Sequence, residues 1–247
     1  MVLGSTSLPS KPLISTRRGI AWGLAPRSED SSVLVLTSPQ RYYVDIRFAL
    51  DGEPTAAPFW AFAGQVTYTQ LPGLGDEEPV GIRGEWNHPI DSMGNTEGVD
   101  RADLFLLDNG DQIEVGLLEN PETGKEDRFM EYWTRPKSSN AKASTTENGE
   151  TGDSRCTVAI LEEGDKTIGI AIRVGNYAQG IQQSAESACG VLVTRYSKES
   201  GESGDWKKDP MNNDQEDKIP LQWLLQDRKV GDTKSGGAAW RVVETEN

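Results

Sequence analysis

The chain has 247 residues, 25 of them Lys or Arg and 39 Asp or Glu, for a formal net charge of −14. A chain this acidic repels phosphate backbones and anionic lipid headgroups unless its basic residues cluster; none do along the sequence, so nucleic acid is not expected as a partner. Hydrophobic residues make up 35 % and fall in short runs, which points to a globular chain and away from a disordered one.

Met1 to Ile20 lacks the continuous apolar run of a secretory leader, since Lys11, Arg17 and Arg18 are spread along it between Pro9 and Pro12. No apolar stretch approaches the ~18 residues of a membrane span. Strand signals then dominate. Val33 to Leu36 is a short β-branched run. Arg41 to Phe48 alternates, with Tyr42, Val44, Ile46 and Phe48 on one face and Arg41, Tyr43, Asp45 and Arg47 on the other. Phe59 to Tyr68 is aromatic and β-prone, and Gly64 within it marks a bulge or a close approach. Leu104 to Leu107, the Asn109-Gly110 turn and Gln112 to Leu118 read as a hairpin, and Phe129 to Thr134 as a further strand.

From Lys137 to Ser154 large apolar residues vanish, and the stretch reads as a polar linker. Strands are expected again at Cys156 to Leu161, Thr167 to Val174, Gly190 to Tyr196, Leu221 to Leu225 and Ala238 to Val243. Ile181 to Ala188 could form two turns of helix, and Lys198 to Lys218 reads as a long exposed loop. Two strand-rich parts on either side of a linker suit an all-β protein of two antiparallel barrels: 1–136, the linker 137–154, and 155–247.

Trp86, His88 and Asp91 lie in one short stretch. His88 is the single histidine, so a site built on several imidazoles is impossible, and no spacing supports zinc with Cys156 or Cys189. His88 and Asp91 have two readings. They are half of an acid–base pair, or a turn whose Asp caps backbone N–H groups. Asn176, Tyr177 and Gln179 could hydrogen-bond a ligand at a barrel mouth, or belong to a strand-to-turn transition served by Gly175 and Gly180. Most of the seven tryptophans sit in strand contexts and read as core plugs. Trp206, in the polar loop, is either a partner anchor or a lid. Ser28 to Ser31 and Ser197 to Gly204 place serines among acids, in surroundings that acidic kinases favour or in plain solvated loop. Cys156 and Cys189 are too few for a disulfide framework and read as buried thiols. A nucleophile elbow is missing, and nothing nominates a carboxylate pair for glycoside hydrolysis.

Several stretches carry a resemblance. In order they are Arg41 to Arg47, Trp60 to Gly64, Trp86 to Ser92, Asn109 to Glu114, Asn120 to Lys125, Glu131 to Trp133 and Arg173 to Ile181. Together they resemble the fungal HRI-one family, named for interaction with a casein-kinase-I-type protein kinase. Ala178 departs from the pattern, standing where a cysteine is expected. The resemblance implies two lipocalin-like antiparallel barrels in tandem, residence in cytoplasm and nucleus, and no established catalytic activity. A non-enzymatic protein-interaction module follows as the first expectation, with protein partners that include a protein kinase, and without cofactor or metal. The alternative is a binder of a small apolar ligand, or a cofactor-free isomerase or cyclase using a barrel cavity. Trp86, His88, Asp91, Asn176, Tyr177 and Gln179 are the candidate ligand-binding residues for it.

Overall fold

The computed structural model describes residues 8–51, 58–75, 78–136, 155–198, 204–214, 217–234 and 239–246. The linker expected at 137–154 and residues 199–203 of the second serine-rich stretch lie outside the described residues.

Eight antiparallel strands follow one another as a meander: β1 (Leu13–Trp22), β2 (Ser31–Thr37), β3 (Tyr42–Ala49), β4 (Trp60–Leu71), β5 (Gly81–Asp91), β6 (Val99–Leu106), β7 (Gln112–Asn120) and β8 (Lys125–Thr134). Pairing of β1 with β8 closes them into a barrel, which leaves no strand edge. The second part contributes β9 (Cys156–Glu163), β10 (Lys166–Val174), β11 (Tyr177–Gln183), β12 (Val191–Lys198), β13 (Trp206–Lys208), helix α1 (Leu221–Leu224), β14 (Thr233–Lys234) and β15 (Trp240–Glu246). These strands form a seven-stranded sheet in the order β13-β12-β11-β10-β9-β15-β14. The second closed barrel expected from the strand count is thus a half-barrel. Its edge strands β13 and β14 are three and two residues long, too short to carry a closing ladder between them. No helix among the described residues is long and apolar enough to cross a membrane.

The barrel inverts the usual placement of polar side chains. In β3 the apolar set Val44, Ile46 and Phe48 points outward. There it meets Val158, Ile160, Ile170, Ile172 and Ile181 of the half-barrel in the largest apolar cluster of the molecule. The opposite set, Tyr43, Asp45 and Arg47, points into the barrel, where Asp45 and Arg47 are buried as an ion pair. The main core therefore lies between the two sheets. Each buried aliphatic side chain there contributes roughly 1.5–3 kcal/mol relative to exposure. The far face of the half-barrel is covered in turn: Ala171, Leu161, Trp240 and Val242 pack under Ile219, Leu221 and Leu224. Leu221 to Leu224 is helical, against the expectation of a strand, because a short apolar run does not reveal its period. Trp206 packs at half burial against the same cluster with the Arg173 guanidinium 5.5 Å above its ring, so of its two readings the lid is the one observed.

Candidate functional site

Trp86, His88 and Asp91 belong to β5, and the stretch expected as a turn is the end of a strand. Trp86 faces Asp100 of β6 in the ladder, and Asp91 faces Phe62 of β4; cross-strand partners share a face, here the barrel interior. The β4–β5 ladder shifts between Ala63 and Gln65. At Gly64 a Cβ would fall 1.8 Å from the Asn87 carbonyl oxygen and 2.8 Å from Pro89 Cδ. Only glycine lets β4 pass so close to the proline-containing end of β5, and that approach seats His88 inside.

His88 is fully buried, with Nδ1 3.0 Å from Asp91 Oδ2 and Nε2 3.6 Å from Asp100 Oδ1. The Phe62 ring lies 5.3 Å away between centroids. Neither contact has hydrogen-bond geometry, so both are ion pairs. Burial opposes the imidazolium charge, but Asp100 and Asp91 outweigh it and raise the His88 pKa to about 9. At neutral pH the ring already carries its proton and is not a general base. Asp91 Oδ1 accepts the Met93 N–H at 2.6 Å and the Trp60 indole N–H at 3.2 Å. Asp91 thus caps the turn after β5 while it holds His88.

A second charged group fills the barrel towards β1 and β8. Arg17 donates to Glu131 at 2.5 Å, to both oxygens of Glu29 at 2.9 Å and to Ser31 Oγ at 2.9 Å. Ser31 is buried and donates in turn to Glu29, so its place in the network replaces the expectation of a solvated, modifiable loop. Arg47 pairs with Asp45 at 2.8 Å and lies 3.8 Å from Glu131. Its guanidinium stacks 4.6 Å over Trp60 and 5.3 Å over Phe62. Burial and then the Glu131 charge push the Glu114 carboxyl well above the ordinary range. Tyr43 and Phe62, and Trp60 and Phe62, pack ring against ring between the two charged groups. The polar groups of the interior mostly satisfy one another.

Asn176, Tyr177 and Gln179 do not join this constellation. Gln179 is fully buried between barrel and half-barrel. Its Nε2 donates to the Leu34 carbonyl at 2.9 Å and the Val44 carbonyl at 3.1 Å, and its Oε1 accepts from Arg195 Nε at 2.9 Å. Arg195 also donates to the Ile46 carbonyl at 2.6 Å. Burial draws its pKa down to about 10 despite Asp209 and Asp45. Tyr177 packs against the intersheet core, and the Asn176 carbonyl accepts the Lys198 N–H. Gln179 and Tyr177 thus belong to the seam between the sheets and Asn176 to the β10–β11 turn, and none of the three joins His88.

The outer wall of the barrel carries a site that the sequence did not disclose. Arg18, Arg27, Asp111, Tyr132, Thr134 and Arg135 line a cleft of 490 Å³. The β1–β8 ladder skips one residue between Arg17 and Gly19, so Arg18 is the extra residue of a β-bulge. That bulge sends Arg17 inward to Glu131 and Arg18 outward, where its Nε donates to Thr134 Oγ1 at 3.3 Å. Gly19 adopts φ +146°, and a Cβ on it would meet Arg27 Cγ at 2.6 Å. The missing side chain lets the Arg27 stem cross β1 and place its guanidinium 5.1 Å over the Tyr132 ring. The Tyr132 hydroxyl donates to Asp111 at 3.0 Å. None of the three arginines has a carboxylate within ion-pair distance among the described residues. The basic cluster missing along the sequence thus exists in space, because β1, the β1–β2 turn and the end of β8 converge. The adjacent Arg17-Arg18 pair was the one signal, and it needed the bulge to be read.

The family model described as Protein HRI1 matches residues 13–244. Among solved structures, the chain is similar to the uncharacterized protein YLR301w of Saccharomyces cerevisiae. The TM-score is 0.73 at 21 % identity, over 96 % of this chain and 100 % of that one. At that identity the likeness concerns the fold. No curated protein matches.

Proposed function

The chain belongs to the HRI1 family, and from that premise we propose that it is a non-enzymatic protein-interaction module working through its outer surface. The observation that carries this reading is the packing of inward side chains of the barrel against one another. Tyr43, Trp60 and Phe62 pack ring on ring, and two ion networks around His88 and Arg17 use the interior polar groups on one another. A binder or isomerase of the cavity type needs convergent polar groups around free apolar volume. Here the inward charges face carboxylates and guanidinia of the same chain, and both faces of the half-barrel are covered. The closed eight-stranded meander supports the lipocalin-like reading that the family resemblance implies for the first part, and the seven-stranded sheet is an open half-barrel. Two free cysteines accord with a reducing compartment, cytoplasm and nucleus. Protein partners, a protein kinase among them, are the expected ligands.

Native mass spectrometry of the chain, purified gently from the cells that make it, tests this. The expected result is an empty chain carrying a stoichiometric protein partner. A retained mass of a few hundred daltons, released on denaturation, overturns the proposal in favour of a barrel ligand.

A further inference from the structure

The strongest unexplained feature of the described surface is a set of arginines without ion pairs on an acidic protein. Arg18, Arg27 and Arg135 border one cleft together with Asp111, and none of the three has a carboxylate within ion-pair distance among the described residues, while 39 acidic residues are distributed over the chain. Three exposed arginines elsewhere do pair with carboxylates: Arg83 with Asp103 at 2.8 Å, Arg101 with Glu85 at 2.6 Å and Arg241 with Glu162 at 2.8 Å. Two of the cleft arginines are moreover held in place. The Arg18 bulge and the groove over Gly19 fix two of them, and the Tyr132 ring supports Arg27 from below. Planar, pre-positioned guanidinia with hydroxyl neighbours suit a tetrahedral oxyanion, which they grip through forked hydrogen bonds.

We propose that this cleft binds a phosphorylated serine or threonine of a partner protein. The inference rests on the interaction-module reading and names the chemistry its surface recognises. Three further observations favour a phosphorylated protein segment over other anions. The net charge of −14 repels an extended polyanion or an anionic membrane, but a compact three-arginine cleft can still attract one phosphate. Among the described residues, none of the exposed large apolar side chains, such as Leu24, Leu74 and Met93, lines the cleft to enter an acyl layer. A volume of 490 Å³ is in the range that takes a phosphorylated side chain with its flanking backbone, more than a free phosphate fills. β1 and β8 are paired on both sides in the closed barrel, so recognition here runs through side chains and not through strand addition.

The test is fluorescence anisotropy of the full chain with a labelled pool of short peptides bearing one fixed phosphoserine, against the same pool bearing serine. The phosphoserine pool should bind at least about tenfold more tightly, the ratio expected from one or two charge-assisted hydrogen bonds. Inorganic phosphate should compete. Arg135→Glu, at an exposed position without a described side-chain partner, should abolish the preference while leaving the thermal midpoint in place. Equal binding of the two pools overturns the phosphate claim and leaves the interaction module standing. Binding to vesicles containing a phosphoinositide in place of the phosphopeptides overturns the choice of a protein ligand. If a partner retained in the native mass spectrum survives Arg135→Glu unchanged, the cleft is not its docking site and the inference fails even though the module reading holds.

Discussion

The Nδ1 atom of His88 lies 3.0 Å from Asp91 Oδ2, and both side chains are closed off from water. The pair is an electrostatic brace across the end of β5, and its protonation is tied to the folded state. The folded pKa is about 9 against 6.5 for the free side chain. The stabilisation is therefore complete below pH 6.5 and disappears as the pH rises through 9. Across that window the unfolding free energy should fall by up to about 3 kcal/mol from this group. Urea titrations at a series of pH values would show it. His88→Gln should remove most of the slope; an unchanged slope in the variant would refute the assignment.

Glu114 should show the same sign from the opposite chemistry. Burial and the neighbouring Glu131 charge raise its folded pKa, so its contribution is full below the pKa of the unfolded chain and is lost as pH rises. Ionising this buried carboxyl as the pH rises carries a cost. Glu114→Gln keeps the shape and removes the cost, so the variant should melt higher than the parent at pH 7 and by less at pH 4. Calorimetry at the two pH values decides it.

Gln179 joins the sheets through three hydrogen bonds: two donated to the Leu34 and Val44 carbonyls and one accepted from Arg195. Gln179→Leu fills similar space but leaves two buried carbonyls and a buried guanidinium short of partners. A loss of about 2–5 kcal/mol is expected, since each orphaned group costs about 1–3 kcal/mol. Chemical denaturation monitored by tryptophan fluorescence reads it. A variant as stable as the parent would mean that water replaces the amide at this seam.

Gly64 is sterically closed on one side. A methyl group there would have to displace the Asn87 carbonyl, 1.8 Å from the Cβ position, and break the ladder that seats His88. Gly64→Ala should cost more than about 3 kcal/mol, the range of severe backbone clashes and overpacking. The loss should also flatten the pH dependence assigned to His88. Retention of a full pH slope would dissociate the two features.

The strands β2, β3, β4, β7 and β8 were legible from short β-branched and aromatic runs and, in β3, from alternation, and the Asn109-Gly110 turn marked the hairpin between β6 and β7. β1 and β5 were not read as strands. Arg17 faces the barrel interior, and a bulge breaks the period at Arg18; in β5 the inward residues are Trp86 and His88, with Pro89 beside them. A charged barrel interior defeats the rule that apolar side chains mark the inside. The same cause hid the direction of β3, whose apolar face is outside the barrel and inside the molecule. Of the candidate ligand-binding residues, Trp86, His88 and Asp91 do share one interior, but Gln179 belongs to the seam between sheets. Nothing in a linear pattern announces a hydrogen bond from residue 179 to residues 34 and 44. The arginine cleft draws on β1, the β1–β2 turn and the end of β8, and is a property of barrel closure alone.

The bulge in β1 separates two roles that would otherwise compete for one register. Arg17 faces Trp133 before it and Gly19 faces Tyr132 after it, which are successive residues of β8. Removing Arg18 would therefore leave every other rung of the ladder opposite its present neighbour. A three-nucleotide deletion at that codon would be an economical evolutionary event: it would erase an exterior charge while sparing the barrel. Insertion of one codon in a relative lacking the residue would create the charge just as simply, so recognition on this wall can be gained or lost without redesigning the interior.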